Sequence, residues 1–132
     1  MGQSWDWQTM LADSLSDLHI DIFNPRRTDW DSSWSQSMDN KPFVEQVNWE
    51  LDHIEKASLV VMYLDPTSKS PVSLLELGML ARSGKVVVCC PDGFWRKGNV
   101  EIVCNRHQIP MLKDLDAVMG YIRSEMGRLL AP

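Results

Sequence analysis

The chain has 132 residues, which suits one domain with its own hydrophobic core, and its apolar fraction of 44% is close to that of ordinary soluble proteins. A net charge of −5 argues against a protein that binds nucleic-acid polymers, because such proteins normally carry a basic face. No apolar run approaches the roughly 20 residues that span a bilayer, so no membrane partner is expected.

The cysteines and the first residues predict a cytoplasmic location. The chain has three cysteines, an odd number, and Cys89 and Cys90 are adjacent in an apolar segment. This pattern indicates buried, reduced thiols rather than a disulfide framework. The opening residues MGQSWDWQ contain neither a basic region nor an apolar segment, so we predict no signal peptide.

Helical and strand patterns alternate along the chain. In chain order they predict a helix over Ser4–Leu18, a strand over His19–Phe23, a polar loop over Arg26–Lys41, a helix over Pro42–Lys56, a strand over Ser58–Leu64, a helix over Val72–Ser83 closed by Gly84, a strand over Lys85–Cys90, a turn-rich loop over Asp92–Asn99, a short helix or strand over Val100–Asn105, a strand over Ile109–Leu112 and a helix over Asp114–Leu130. The alternation predicts one α/β domain over residues 1–132, a three-layer sandwich around a mostly parallel sheet.

Chemistry is expected in the loop and helix that follow the strand over Ser58–Leu64, because ligands bind at the carboxyl ends of parallel strands. Glu76 is a carboxylate surrounded by leucines, which is costly to bury unless it is paired or used. It is either a nucleophile or a first-turn acid that complements the helix dipole, with Ser73 as N-cap. Asp65 is either a functional acid or a turn residue before Pro66.

Other polar and aromatic residues have two interpretations each. Arg26 and Arg27 either bind phosphate in a bidentate manner or are a solvated pair. Trp30, like Trp34 and Trp95, either stacks on a base or covers the core or an oligomer contact. Arg96 and Lys97 are expected to be solvated.

The sequence favours neither a metal nor a cofactor. His19, His53 and His107 lack the short spacings of metal ligands. The chain has neither a dinucleotide-binding glycine fingerprint nor a Walker loop, which disfavours dinucleotide oxidoreductases and P-loop NTPases.

Three segments resemble the nucleoside 2-deoxyribosyltransferase family. The first segment runs from the strand with Asp65 through the Ser/Thr loop to SLLELG (Ser73–Gly78). The second is the NPRR-x-x-W segment (Asn24–Trp30), and the third is the Gln46-x-x-Trp49-Glu50 helix. The second and third are similar to the 2-deoxyribosyltransferase-like branch of the family. The similarity extends from about Trp5 to Ile109.

The resemblance implies a flavodoxin-like fold that cleaves the N-glycosidic bond of deoxyribonucleosides or their monophosphates. It makes Glu76 the nucleophile and Asp65 the acid that helps to protonate the leaving base or to place the sugar. Ser70 stands where transferases carry Asp and where the related deoxynucleoside-monophosphate N-hydrolases place a phosphate-contacting Ser, with Ser73 as a second hydroxyl donor. Asn99 matches a residue that is lent to a neighbouring subunit's site, so a homo-oligomer is expected.

One departure concerns the start of the chain. Family members open with a strand and a small-residue turn, whereas this sequence opens at what resembles the end of that turn, Met1-Gly2-Gln3. The comparison predicts that the first strand is absent, with truncation of a longer product as the simplest explanation.

Three functions remain open. The first is a nucleoside or nucleotide N-glycosidase, acting as a hydrolase or as a base-exchanging transferase. The second is a non-catalytic nucleotide-binding or sensing domain. The third is a TIR-like NAD hydrolase, because these enzymes also use a Glu in a Ser-x-x-x-Glu-Leu-like helix start.

Overall fold

A computed structural model describes residues 6–18, 22 and 36–130. The chain divides into two compact units, Met1–Ser58 and Leu59–Pro132. The strand predicted over His19–Phe23 lies outside the described residues except for Ile22, and so does most of the loop predicted over Arg26–Lys41.

The first unit contains helix α1, Trp7–Ser14, which is shorter than predicted. Asp6 caps it by accepting a hydrogen bond from the Thr9 N–H at 3.1 Å. At its end, the Ser14 hydroxyl donates to the Met10 carbonyl at 2.9 Å, and the Leu15 N–H is shared between the Leu11 and Ala12 carbonyls. Bonds of this kind are typical of the last turn of a helix, and residues 15–18 form a turn where the sequence predicted helix.

Helix α2, Lys41–Lys56, also belongs to the first unit and confirms the predicted helix to within one residue. Asn40 caps it by accepting from the Phe43 N–H at 3.3 Å. Gln46 is buried on this helix and donates to Glu50 at 3.1 Å. Burial raises the pKa of Glu50, and the Gln46 bond opposes that rise.

The second unit is built on a parallel sheet of three strands among the described residues. The strands are β1 (Val60–Tyr63), β2 (Val86–Cys89) and β3 (Met111–Leu112), in the order β1-β2-β3. Val60 pairs with Val86 and Val88 pairs with Met111, both in parallel register. The predicted α/β fold with a parallel sheet is therefore confirmed.

Three helices connect and follow these strands: α3 (Pro71–Leu80), α4 (Lys97–His107) and α5 (Leu115–Leu130). The segment Val100–Asn105, predicted as either a helix or a strand, lies inside α4. Helix α5 packs against β2 and β3. Among the described residues, none of the helices combines the length and the apolar character needed to cross a membrane.

Helix α3 ends earlier than predicted, and Gly84 does not cap it. Ala81 is the C-cap, and the Ser83 N–H and hydroxyl both bond to the Leu80 carbonyl, at 2.9 and 2.7 Å. These bonds close a turn directly after the helix. Gly84, with φ of +73°, lies in the turn that leads into β2, where glycine tolerates this left-handed conformation.

The core of the second unit includes all three cysteines, as the sequence predicted. They are free, and each has at most 2% of its surface exposed. Burial raises the pKa of Cys89 and of Cys104 to about 11. The other fully buried large side chains are Leu64, Val87, Val88, Val100 and Val118.

Candidate active site

The candidate site begins where β1 ends. Leu64 is fully buried, and its N–H donates to the Cys89 carbonyl at 2.9 Å, which continues the sheet pairing one residue beyond the strand. Asp65 follows directly and has only 7% of its surface exposed. The carboxylate of Asp65 is therefore anchored at the carboxyl edge of the parallel sheet.

Asp65 organises the turn that follows it. Its Oδ1 atom accepts hydrogen bonds from the Thr67 N–H at 2.8 Å and from the Thr67 hydroxyl at 2.6 Å. Its main-chain oxygen accepts from the Ser68 N–H at 3.0 Å. This is the Asx-turn chemistry that the sequence predicted as one of two interpretations. The turn fixes the direction of the carboxylate.

The loop reaches α3 through a strained residue. Ser70 has φ of 48° and ψ of 52°, a left-handed conformation that costs a non-glycine residue roughly 1 kcal/mol. The Ser68 hydroxyl accepts from the Ser70 N–H at 3.1 Å and contacts the Ser70 hydroxyl at 3.2 Å, which supports this conformation. Such strain is common at ligand-binding loops.

The structure corrects the interpretation of Glu76 as a first-turn acid. Helix α3 begins at Pro71 with Ser70 as N-cap, so the assignment of Ser73 as N-cap is wrong, and the first turn contains no acidic residue. Glu76 lies in the second turn, where the helix dipole contributes little. Complementing the dipole therefore does not explain this carboxylate.

Glu76 lies at the border between the buried and exposed faces of α3. Four residues before it, Val72 is 60% exposed, and four residues after it, Leu80 is 6% exposed. Residues at this spacing form one row along a helix. Glu76 itself is half-buried, and so is Ser73, three residues earlier on a neighbouring row. Both side chains are thus partly accessible to solvent.

The other four predicted site residues do not lie on this loop or on α3 in the described part of the chain. Asn99 is exposed in the first turn of α4, not in the loop that the sequence predicted. Arg26, Arg27 and Trp30 lie outside the described residues. Asp65 and Ser70 lie in the loop that follows β1, and Ser73 and Glu76 lie in α3, the helix that this loop leads into.

A second loop contacts this one, and sequence reasoning missed the contact. The Trp95 indole N–H donates to the Lys69 carbonyl at 2.9 Å. A Cβ atom at Gly93 would lie 3.7 Å from Pro66 Cβ, so the two loops meet at van der Waals distance. Only the shared sheet edge could have indicated this contact, since both loops follow neighbouring parallel strands.

Within the described ranges, no group of three or more His, Cys, Asp or Glu side chains is placed to hold a metal ion. His53 stacks on Trp49 with ring centroids 3.9 Å apart, and its Nδ1 atom lies 2.7 Å from the Trp49 carbonyl oxygen. This ring nitrogen is therefore engaged within α2.

Comparison with known families confirms the resemblance drawn from the sequence. The family described as nucleoside 2-deoxyribosyltransferase like matches residues 1–94, well over half of the chain. The chain belongs to this family. The matched range includes Asp65, Ser70, Ser73 and Glu76, and it ends one residue before Trp95. No curated protein matches the chain.

Proposed function

We propose that the chain cleaves the N-glycosidic bond of (deoxy)nucleosides or their 5′-monophosphates, with Glu76 as the nucleophile. Membership of the nucleoside 2-deoxyribosyltransferase-like family supports nucleoside chemistry. The observation that carries the proposal is the position of Glu76. It is half-buried in the second turn of α3, too far from the N-terminus of the helix to cap it. A half-buried carboxylate on the helix that follows a sheet-edge loop is suited to nucleophilic catalysis.

The proposed reaction has two steps. A carboxylate oxygen of Glu76 attacks C1′ of the sugar, the C1′–N bond breaks, and its electron pair leaves with the base, which takes up a proton. The sugar is then held as a glycosyl ester. In the second step, water or another base attacks C1′ and releases Glu76 as a carboxylate. Water makes the enzyme a hydrolase, and a base makes it a transferase.

Asp65 is proposed to place the sugar through its second oxygen. Both turn-forming hydrogen bonds from Thr67 reach Oδ1, and within the described part of the chain none reaches Oδ2. An oxygen held in a fixed direction can accept a hydrogen bond from a sugar hydroxyl without paying for reorientation. Substrate contacts by Ser70, Ser73 and Asn99, and by Arg26, Arg27 and Trp30, remain predictions.

We also propose that residues 1–132 act as one domain that assembles as a homo-oligomer. Three large apolar side chains on α3 support assembly, because Val72, Leu75 and Met79 are each at least 58% exposed. Apolar patches of this kind are typical of interaction surfaces. Light scattering after size exclusion would measure the oligomer, and a monomer at all concentrations would contradict this proposal.

The experiment that tests the function is chromatographic detection of base release. Deoxynucleosides, their 5′-monophosphates and NAD are incubated with the protein, with and without an acceptor base. We expect Glu76→Ala and Glu76→Gln to lower release by roughly 10³-fold or more, as for other removed nucleophiles. Glu101→Ala, at an exposed glutamate of α4, is the matched control and should retain release.

Each other outcome redirects the assignment. Undiminished release by the folded Glu76 variants would remove this residue from the nucleophile role. Release of nicotinamide from NAD in preference to the other substrates would favour the TIR-like alternative. Saturable nucleotide binding without release at any protein concentration would favour a sensing domain.

A further inference from the structure

Lys69, Trp95 and Arg96 form a cluster of two cations on one aromatic ring. The Lys69 Nζ atom lies 5.3 Å from the Trp95 ring centroid, and the Arg96 Cζ atom lies 4.5 Å from it. The indole is 48% exposed, and its N–H bond to the Lys69 carbonyl fixes it between the two loops. The cluster thus joins a lysine from the β1–α3 loop to an arginine from the β2–α4 loop.

The two cations of this cluster are not neutralised by carboxylates in the described part of the chain. Lys97 pairs with Asp92 and Arg128 pairs with Glu125, and no ion pair within the described part of the chain includes Lys69 or Arg96. Lys97, the residue after Arg96, differs from it because Lys97 forms an ion pair with Asp92. Two uncompensated cations on one ring repel each other, and an anion bound between them would relieve that repulsion.

We infer that this cluster binds the phosphate of a nucleoside 5′-monophosphate, so that the substrate is phosphorylated. The nucleoside part of this inference rests on the proposed function. Arg offers a planar pair of donors to phosphate oxygens and Lys a compact charge, whereas an unphosphorylated nucleoside has no anionic group to engage them. Lys69 lies between Ser68 and Ser70, in the same loop as Asp65, so the proposed phosphate contact and one candidate carboxylate belong to one loop.

Trp95 acts in this cluster as a positioning residue. Attraction between each cation and the ring face limits the conformations of two long side chains that are otherwise exposed. Less side-chain entropy is then lost when a phosphate binds. The small patch also fits one phosphate rather than a polymer backbone on a chain whose net charge is −5.

Calorimetric titration with a deoxynucleoside, its 5′-monophosphate and inorganic phosphate tests the inference independently of turnover. We expect the monophosphate to bind at least roughly tenfold more tightly than the nucleoside, since a charge-assisted hydrogen bond is worth about that factor or more. Lys69→Gln and Arg96→Gln should each reduce this ratio, and the double variant should bring it near one. Arg106→Gln, at an exposed arginine in the last turn of α4, is the matched control and should preserve it.

Two Trp95 variants test positioning. Trp95→Phe keeps an aromatic face and Trp95→Leu does not, so the phosphate preference should survive better in the first variant. Thermal unfolding of both variants controls for a general loss of structure.

The outcomes separate this inference from the proposed function. An affinity ratio near one in the wild-type protein, or a ratio that the double variant leaves unchanged, overturns the phosphate inference even if Glu76-dependent base release is found. Equal affinity for inorganic phosphate and the monophosphate also overturns it, because the cluster would then be a general anion site. A phosphate preference that depends on both cations upholds it even without base release.

Discussion

Replacing Asp65 by Asn and by Ala separates its role in the turn from its role in chemistry. Asn keeps an oxygen that accepts both hydrogen bonds from Thr67, at 2.8 and 2.6 Å in the native protein, but it removes the negative charge and replaces Oδ2 by an NH₂ group. Ala removes the acceptor altogether. The same position therefore provides one variant that tests charge and one that tests the turn.

The expected loss of stability follows from the number of bonds. A hydrogen bond to a charged acceptor contributes about 1.5–3 kcal/mol. Thr67 is exposed and its donors can turn to water, so we expect Asp65→Ala to lower the free energy of unfolding by about 2 kcal/mol in total. Asp65→Asn, which loses only the charge assistance, should cost about 1 kcal/mol.

Urea unfolding followed by circular dichroism measures these costs, and base release measures activity. A loss of about 2 kcal/mol corresponds to a midpoint lower by roughly 1 M. We expect Asp65→Asn to remain folded while base release falls sharply. Asp52→Asn, at an exposed aspartate of α2, is the control and should change neither quantity.

Two results would refute this reasoning. Equal stability of the wild-type protein and Asp65→Ala would mean that the bonds to Oδ1 contribute nothing to folding. Full base release by Asp65→Asn would mean that the reaction needs neither the charge of this side chain nor Oδ2 as an acceptor.

Two further predictions concern the core of the second unit. Leu64→Ala should lower the free energy of unfolding by about 3 kcal/mol and Tm by about 10 °C, because Leu64 is fully buried. Ile102→Ala, at an isoleucine of α4 that is 70% exposed, should change Tm little, and equal shifts of Tm in scanning calorimetry would contradict the burial argument. Burial raises the pKa of Cys89 and Cys104 from 9.0 to about 11, so between these pH values the unfolded chain binds fewer protons than the native one. The contribution of these two thiols to the free energy of unfolding is therefore fully present below pH 9 and is lost as the pH rises towards 11. In urea unfolding, the Cys89→Ala, Cys104→Ala double variant should lose less stability over this pH range than the wild-type protein. Equal losses would show that these thiols do not titrate as described.

The elements that are defined by long apolar patterns could be predicted from the sequence, and their ends could not. The continuous run of Lys85–Cys90 predicted β2, and the apolar face of Pro42–Lys56 predicted α2. Helices α1 and α3 end earlier than predicted, and near each end a serine hydroxyl, of Ser14 or of Ser83, bonds to a main-chain carbonyl. Apolar periodicity contains no information about such bonds.

In the candidate site, too, one feature could be predicted from the sequence and others could not. The Asp65 turn is local, so its residue types predict it. The bond from Trp95 to Lys69 joins residues 26 positions apart, and it depends on which strands are neighbours. The left-handed conformation of Ser70 also had no sequence signal, because Gly is the residue normally expected there.

The central position of β2 has a consequence for how the chain is made. Both neighbours of β2 are parallel strands, and each is separated from it along the chain by a complete helix, α3 or α4. Parallel pairs of this kind form late, because the crossover must be closed before any strand contact is gained. Until then Val86–Cys90, which has no charge and no proline, is exposed to other chains during synthesis or refolding. The yield of folded protein should therefore depend on the concentration of newly made chains as well as on native stability.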